Sequence, residues 1–136
     1  MAEQSSADDD GERGSAVVDF VLVSMLIVAL LLAILQVAVY AHVRNVVTAS
    51  AQEGARFAAN ADVDSALGAA RTLEVVGRAT NTRTAAGLSC TSGEEADPSG
   101  MTLVVVRCTG AVPSLLSALG DLLPLEVTGR AVKEGA

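Results

Sequence analysis

Polar and apolar positions change pattern several times along this chain, and each change predicts an element. Residues 1–13 are polar, acidic and rich in Ser, Gly and Asp, the composition of a disordered segment. Between residues 17 and 41 the chain is almost continuously apolar, broken chiefly by Asp19, Ser24 and Gln36. About 25 residues make roughly 37 Å of helix against a hydrocarbon layer of about 30 Å, so this stretch predicts a transmembrane helix. Beyond Ala41 the period becomes helical. Val43, Val46, Val47, Ser50, Gly54, Phe57, Ala58 and Ala61 fall to one side, and Asn45, Thr48, Gln52, Arg56 and Asn60 to the other. No Pro interrupts the stretch, so a single helix is expected over 15–60, roughly 70 Å long, half in lipid and half outside.

The remaining residues predict a small α+β domain. Asp62 is the expected N-cap of a second helix that places Val63, Ala66, Leu67, Ala70, Leu73 and Val76 on one face and ends near 77–81. Residues 84–91 read as a short strand. Residues 101–109 read as a stronger one, with Thr102, Val104, Val106 and Cys108 on one face. The Gly, Pro, Asp and Ser of residues 92–100 predict a turn joining the two strands into an antiparallel hairpin. Its three carboxylates match no ion-binding loop spacing and read as a solvated turn. Pro113 opens a short helix whose Leu115, Leu116, Leu119, Leu122 and Leu123 form an apolar face, and 125–132 alternate as a last strand with Glu126, Thr128 and Arg130 towards water. The organisation expected is therefore 1–14 as a leader, 15–61 as a long helix crossing the membrane at about 17–41, and 62–136 as a small domain outside it.

Charge and composition narrow the function. The net charge is −7, of which Glu3, Asp8, Asp9, Asp10 and Glu12 against Arg13 supply −4. An acidic chain with 2% aromatic residues has neither the basic stripe nor the stacking groups of a nucleic-acid binder. The acidic start and the long apolar run also fit a cleaved secretory signal badly. Flanking charges leave the topology nearly tied, with Arg13 at one end and Arg44 and His42 at the other. The short acidic tail and the distal cysteines favour the N-terminus inside and the C-terminal region outside. Cys90 and Cys108 lack the neighbours of a metal site. In an exported domain they predict a disulfide whose loop of roughly 19 residues contributes about 3 kcal/mol on the chain-entropy model.

The chain holds a single His, no nucleophile with a base and orienter, and no phosphate-binding Gly loop, so neither an enzyme, a cofactor nor a small-molecule substrate is indicated. Glu53 and Arg56 are spaced for an exposed ion pair. Asp19 is the unusual charge, an acid at the mouth of an uncharged helix, where the helix N-terminus favours it. A cut after Gly14 would create an ammonium at Ser15, four residues ahead of Asp19. Such a pair at contact distance is worth about 4 kcal/mol at an effective dielectric near 20.

The run Gly14-Ser15-Ala16-Val17-Val18-Asp19-Phe20 resembles the cleavage region of type IV pilin-like proteins, and Glu53-Gly54-Ala55-Arg56 resembles the Glu-Gly-Ala-Arg motif of the TadE-like family, minor pilins or pseudopilins of the tight-adherence (Flp) pilus system. The resemblance implies a pilin-like fold in a bacterial cell membrane. It implies a prepilin peptidase acting between Gly14 and Ser15, Asp19 as an acid used in recognition or docking, and other pilin-like subunits as partners along the helix. Asp19 stands where the family usually has Glu, Ser24 and Met25 stand where it often has Pro, and the leader is acidic. The competing expectation is a single-pass anchor carrying an extracytoplasmic ligand-binding domain unrelated to pili.

Overall fold

The computed structural model describes residues 4–112 and 123–135. The short leucine-rich helix expected after Pro113 lies outside the described residues. The element order is α1 (Gln4–Ala58), α2 (Leu67–Ala79), α3 (Thr82–Ala86), β1 (Leu88–Ala96), β2 (Thr102–Val112) and β3 (Leu123–Val132). The α+β class expected from the pattern is the one found.

Helix α1 runs for 55 residues and starts at Gln4, inside the segment expected to be disordered. Once the apolar run has nucleated a helix, each added residue gains a hydrogen bond. Ala7, Glu12 and Arg13 favour that propagation, against a cost of about 1 kcal/mol each for Gly11 and Gly14. The chain divides into two compact units, Met1–Val37 and Ala38–Ala136. In the first, large apolar side chains from Val17 to Val37 stand exposed, Phe20 and Met25 at 72%. The most apolar window of this helix has a mean hydropathy of 2.9 and is unburied. This part of the chain is long and apolar enough to be a single-pass membrane anchor.

The second unit is built on a three-stranded antiparallel sheet in the order β1-β2-β3. Its register sets Cys90 opposite Cys108 and Cys108 opposite Val127. Alternation along β2 puts Val104, Val106 and Cys108 on the covered face, as expected, and the C-terminal part of α1 lies on that face through Val47, Ala51 and Ala55, all fully buried. With so few aromatic residues the layers must approach closely. At Gly129 of β3 an added Cβ would sit 2.3 Å from the Ala51 carbonyl oxygen, so the strand rests directly on the helix backbone.

Several boundaries differ from the sequence reading. Helix α2 begins at Leu67 with Ala66 at its N-cap, and Asp62 caps nothing there. Asp64 Oδ1 accepts the Ala66 N–H at 2.9 Å, holding the preceding residues in a turn. The first turn of α2 is instead capped across space, because Ser92 Oγ of β1 accepts the Ala69 N–H at 3.0 Å and donates to the Ala66 carbonyl at 2.9 Å. The buried face of α2 is Gly68, Thr72 and Val76, while Leu67 is half exposed. Small residues are selected there because backbone meets backbone.

The strand expected at 84–91 is shifted. Asn81 Oδ1 accepts the Thr84 N–H at 2.8 Å and starts the short helix α3, so β1 begins only at Leu88 and runs on to Ala96. The hairpin turn is correspondingly tighter than 92–100. Asp97 N–H donates to the Met101 carbonyl and Gly100 N–H to the Asp97 carbonyl, both at 2.8 Å, with Gly100 at φ +89°. The three acids near this turn go separate ways. Glu94 accepts from Ser65 Oγ at 2.6 Å, Glu95 pairs with Arg107 at 2.7 Å, and Asp97 accepts from Ser99. In β3, Leu125 and Val127 are buried and Glu126 and Arg130 exposed, as the alternation requires.

Candidate functional site

The residues singled out by sequence fall on three separate places. Gly14, Ser15 and Asp19 lie in the exposed first unit, within one continuous helix, and an added Cβ at Gly14 would meet nothing within 4 Å. Four positions on a helix bring Ser15 and Asp19 to the same face, about 6 Å apart along the axis. Gln36, one of the polar breaks in the apolar run, is buried at 7% exposure and already engaged within the chain.

Glu53, Gly54, Ala55 and Arg56 form the second place, where α1 crosses α2. An added Cβ at Gly54 would stand 2.0 Å from Thr72 Oγ1 and 2.5 Å from the Gly68 carbonyl oxygen. Thr72 keeps its hydroxyl on that same carbonyl, at 2.8 Å. Ala55 is fully buried beside the crossing. Glu53 does not pair with Arg56 as their spacing suggested. It faces Arg71 of α2 at 3.8 Å, because Arg71 is held in place by Glu74 at 3.4 Å and by stacking 5.4 Å over the Phe57 ring. Glu74 also pairs with Arg78. Arg56 points outward and makes no ion pair or hydrogen bond among the described residues. The carboxylates here are about half exposed, so each pair contributes at most about 1 kcal/mol. The crossing is held mainly by close packing.

Cys90 and Cys108 are joined in a disulfide, the third place, with Cα atoms 4.1 Å apart across the β1–β2 ladder. Cys108 is fully buried beneath α1.

Two groups escaped the sequence reading. Arg71 is one charge among the polar positions of α2, and no local signal shows that α1 passes beside it. Lys133, just past β3, reaches back to the end of α1, where its Nζ donates to the carbonyls of Ala58, Asn60 and Val63 at 2.9, 3.0 and 2.6 Å. All three ammonium protons meet carbonyls at the negative end of a helix. The backbone adds a bond from Glu134 N–H to the Ala59 carbonyl at 2.8 Å.

A shallow cavity of about 210 Å³ opens on the outer sheet face between Gly93, Glu95, Val105 and Arg107. It is smaller than the roughly 300–1,000 Å³ usual for small-molecule sites, and Arg107, its cation, is already paired with Glu95. What the molecule presents is thus a long helix with an exposed apolar half, a close helix crossing at the Glu53–Arg56 motif, and a disulfide-braced sheet. No curated protein and no solved structure matches the chain. The family model of TadE-like proteins matches it over residues 14–56, from the Gly14–Ser15 bond through the crossing to Arg56, and the long helix therefore carries a TadE-like segment.

Proposed function

We propose that the chain is a TadE-like minor pilin or pseudopilin, a non-catalytic structural component in the assembly of a Flp/Tad-type pilus or a related secretion apparatus. The observation that carries this reading is the unbroken family match over residues 14–56, which joins the Gly14/Asp19 spacing and the Glu53–Arg56 motif on one helix. The close crossing at Gly54 supports it, since the motif then has a packing role where α1 meets α2.

In this reading the N-terminus is cytoplasmic, the sheet is extracytoplasmic, and a prepilin peptidase cuts between Gly14 and Ser15. The new Ser15 ammonium then stands on the Asp19 face of the helix, and that charge pair guides docking among other pilin-like subunits. Exposure of both residues supports access by the peptidase and by a neighbour. Mass spectrometry of the protein from its native membrane is expected to find Ser15 as the first residue, and a retained leader overturns the processing step. Asp19→Ala is expected to abolish pilus assembly while the protein remains in the membrane, whereas normal pili from that variant overturn the docking role.

A further inference from the structure

The two edges of the sheet carry peptide groups that one copy leaves open. Just past the strand ends, the Asp97 N–H donates to the Met101 carbonyl between β1 and β2, and the Lys133 N–H to the Thr102 carbonyl between β3 and β2. Bonded and non-bonded pairs alternate along an antiparallel ladder. In β1, therefore, Cys90, Ser92 and Glu94 turn their N–H and C=O groups away from β2, and the 4.1 Å between the Cα atoms of Cys90 and Cys108 has the closeness of a non-bonded pair. Among the described residues no backbone group closes this edge. In β3 the outward groups are those of Glu126, Thr128 and Arg130, and the Arg130 N–H donates to Gln52 Oε1 at 3.4 Å.

Direction decides which edges can meet. β1 and β3 run the same way, both antiparallel to β2. The second part of α1 runs with them: Tyr40 meets Pro124, Ala51 meets Gly129, and Ala59 meets Glu134 just past β3. A two-fold β1–β1 pair with the sheet faces aligned is antiparallel and sets the two α1 helices head to foot, which copies anchored in one membrane cannot adopt. Pairing β1 of one copy with β3 of the next is parallel and keeps every α1 pointing the same way.

Unstaggered, such a pair prolongs the row Cys90–Cys108–Val127 into the next copy. The Cys90 N–H then meets the next copy's Glu126 carbonyl, that copy's Thr128 N–H meets the Cys90 carbonyl, and the Ser92 N–H meets the Thr128 carbonyl. The Arg130 bond to Gln52 stays in place. On the outer face Thr91 stands beside Thr128, and the exposed Arg130 stands beside Gly93. Gly93 leaves a notch there, since an added Cβ would meet nothing within 4 Å, and the cavity of about 210 Å³ over Val105 opens at this residue with Glu94 and Glu95 in its lining. A guanidinium on a long stem supplies both the volume and the charge that such a notch takes. We propose that neighbouring copies join head to tail through these edges, β1 of one chain taking β3 of the next as a parallel strand, with Arg130 of the next copy seated in the Gly93 notch against Glu95. The two contacting surfaces differ, so each added copy leaves both a free β1 and a free β3 edge. The inference rests on the anchored reading and not on a role in pili.

Cross-linking of the full disulfide-bonded chain in its native membrane tests the contact. With a short bismaleimide, the variant carrying both Thr91→Cys and Thr128→Cys is expected to give a ladder of dimers, trimers and larger species, and each single variant only monomer. Monomer alone from the double variant, in a chain that alkaline carbonate leaves in the membrane, overturns the edge contact. Dimers from Thr91→Cys alone overturn its head-to-tail direction, and release of the chain by alkaline carbonate overturns the anchoring on which it rests. Adding Arg130→Glu to the double variant is expected to weaken the ladder about fivefold, the size of one strong cross-strand charge pair, and Arg130→Lys to keep most of it. An unchanged ladder with Arg130→Glu overturns the seat in the notch.

Discussion

One helix is solvated in two opposite ways. In its first part, large side chains such as Phe20, Met25, Leu26 and Val37 stand 70% or more exposed, a surface that water penalises and hydrocarbon does not. In its second part, over residues 38–58, the buried face begins with Val43 and Val47 and continues in small groups, with Ala51, Ala55 and Ala58 at zero exposure and Gly54 against the backbone of α2. Large residues serve where the neighbour is fluid and adapts to them. Small ones serve where the neighbour is another backbone at fixed distance, since each methyl group there must fit a rigid surface. The same contrast tells which substitutions matter: volume is nearly free at the exposed apolar positions before Val37 and costly at the buried positions after it.

The largest test of that contrast is the disulfide. Reducing Cys90–Cys108, 18 positions apart in sequence, is expected to lower the stability of the sheet-bearing unit by about 3 kcal/mol and to leave the helicity of the apolar half unchanged. Urea titration followed by the fluorescence of Tyr40, the single tyrosine, reads the first effect and circular dichroism at high urea the second. Next in size is Gly54→Ala, whose Cβ would collide with the Gly68 carbonyl and cost about 2 kcal/mol. Gly14→Ala, in open space, is expected to be neutral or to stabilise its helix by about 0.5–1 kcal/mol. Equal effects from the two glycines would erase the distinction between the halves.

Lys133→Met keeps the stem but removes three hydrogen bonds at the end of α1. A loss of about 1 kcal/mol is expected, with faster amide exchange confined to the last turn of α1. The smallest effect concerns Asp97, whose carboxyl is held below the ordinary range first by the Ser99 hydroxyl and then by the Ser99 N–H. A depressed folded value means that its contribution is present above the unfolded value of about 3.9 and is lost as pH falls through the folded one. Ser99→Ala is expected to return the Asp97 titration, followed by NMR, towards that ordinary value while leaving α1 unaltered.

What the sequence disclosed and what it concealed divide along the same line. The apolar run, the alternation of residues 125–132 and the Pro-Ser-Gly turn are local patterns, and each became the element it predicts. Where structure depends on an approach between distant segments, the pattern misled. Gly68 and Thr72 look like weak helix residues until α1 lies against them, so the local pattern puts Leu67 and Ala70 on the packed face in their place. Glu53 and Arg56 look like partners until Arg71 arrives from another helix. Asp62 looks like a cap until Ser92, from a strand, supplies one. The roles proposed for Gly14 and Ser15 rest on the family resemblance, because an exposed Gly-Ser bond has no physical signature of its own, whereas Asp19 stands out locally as an acid at the mouth of an apolar helix.

The lysine at the end of α1 also sets an order of events. Lys133 is separated by 75 positions from the Ala58 carbonyl it holds, and every strand of the sheet lies between them or beside it. The anchor is thus ready for the bilayer as soon as its own residues have been made, while its outer end stays open until the sheet has formed and brought the lysine back. A chain that ends before Lys133 is therefore expected to keep its apolar helix while the last turn of α1 frays, which amide exchange would read as loss of protection confined to that turn.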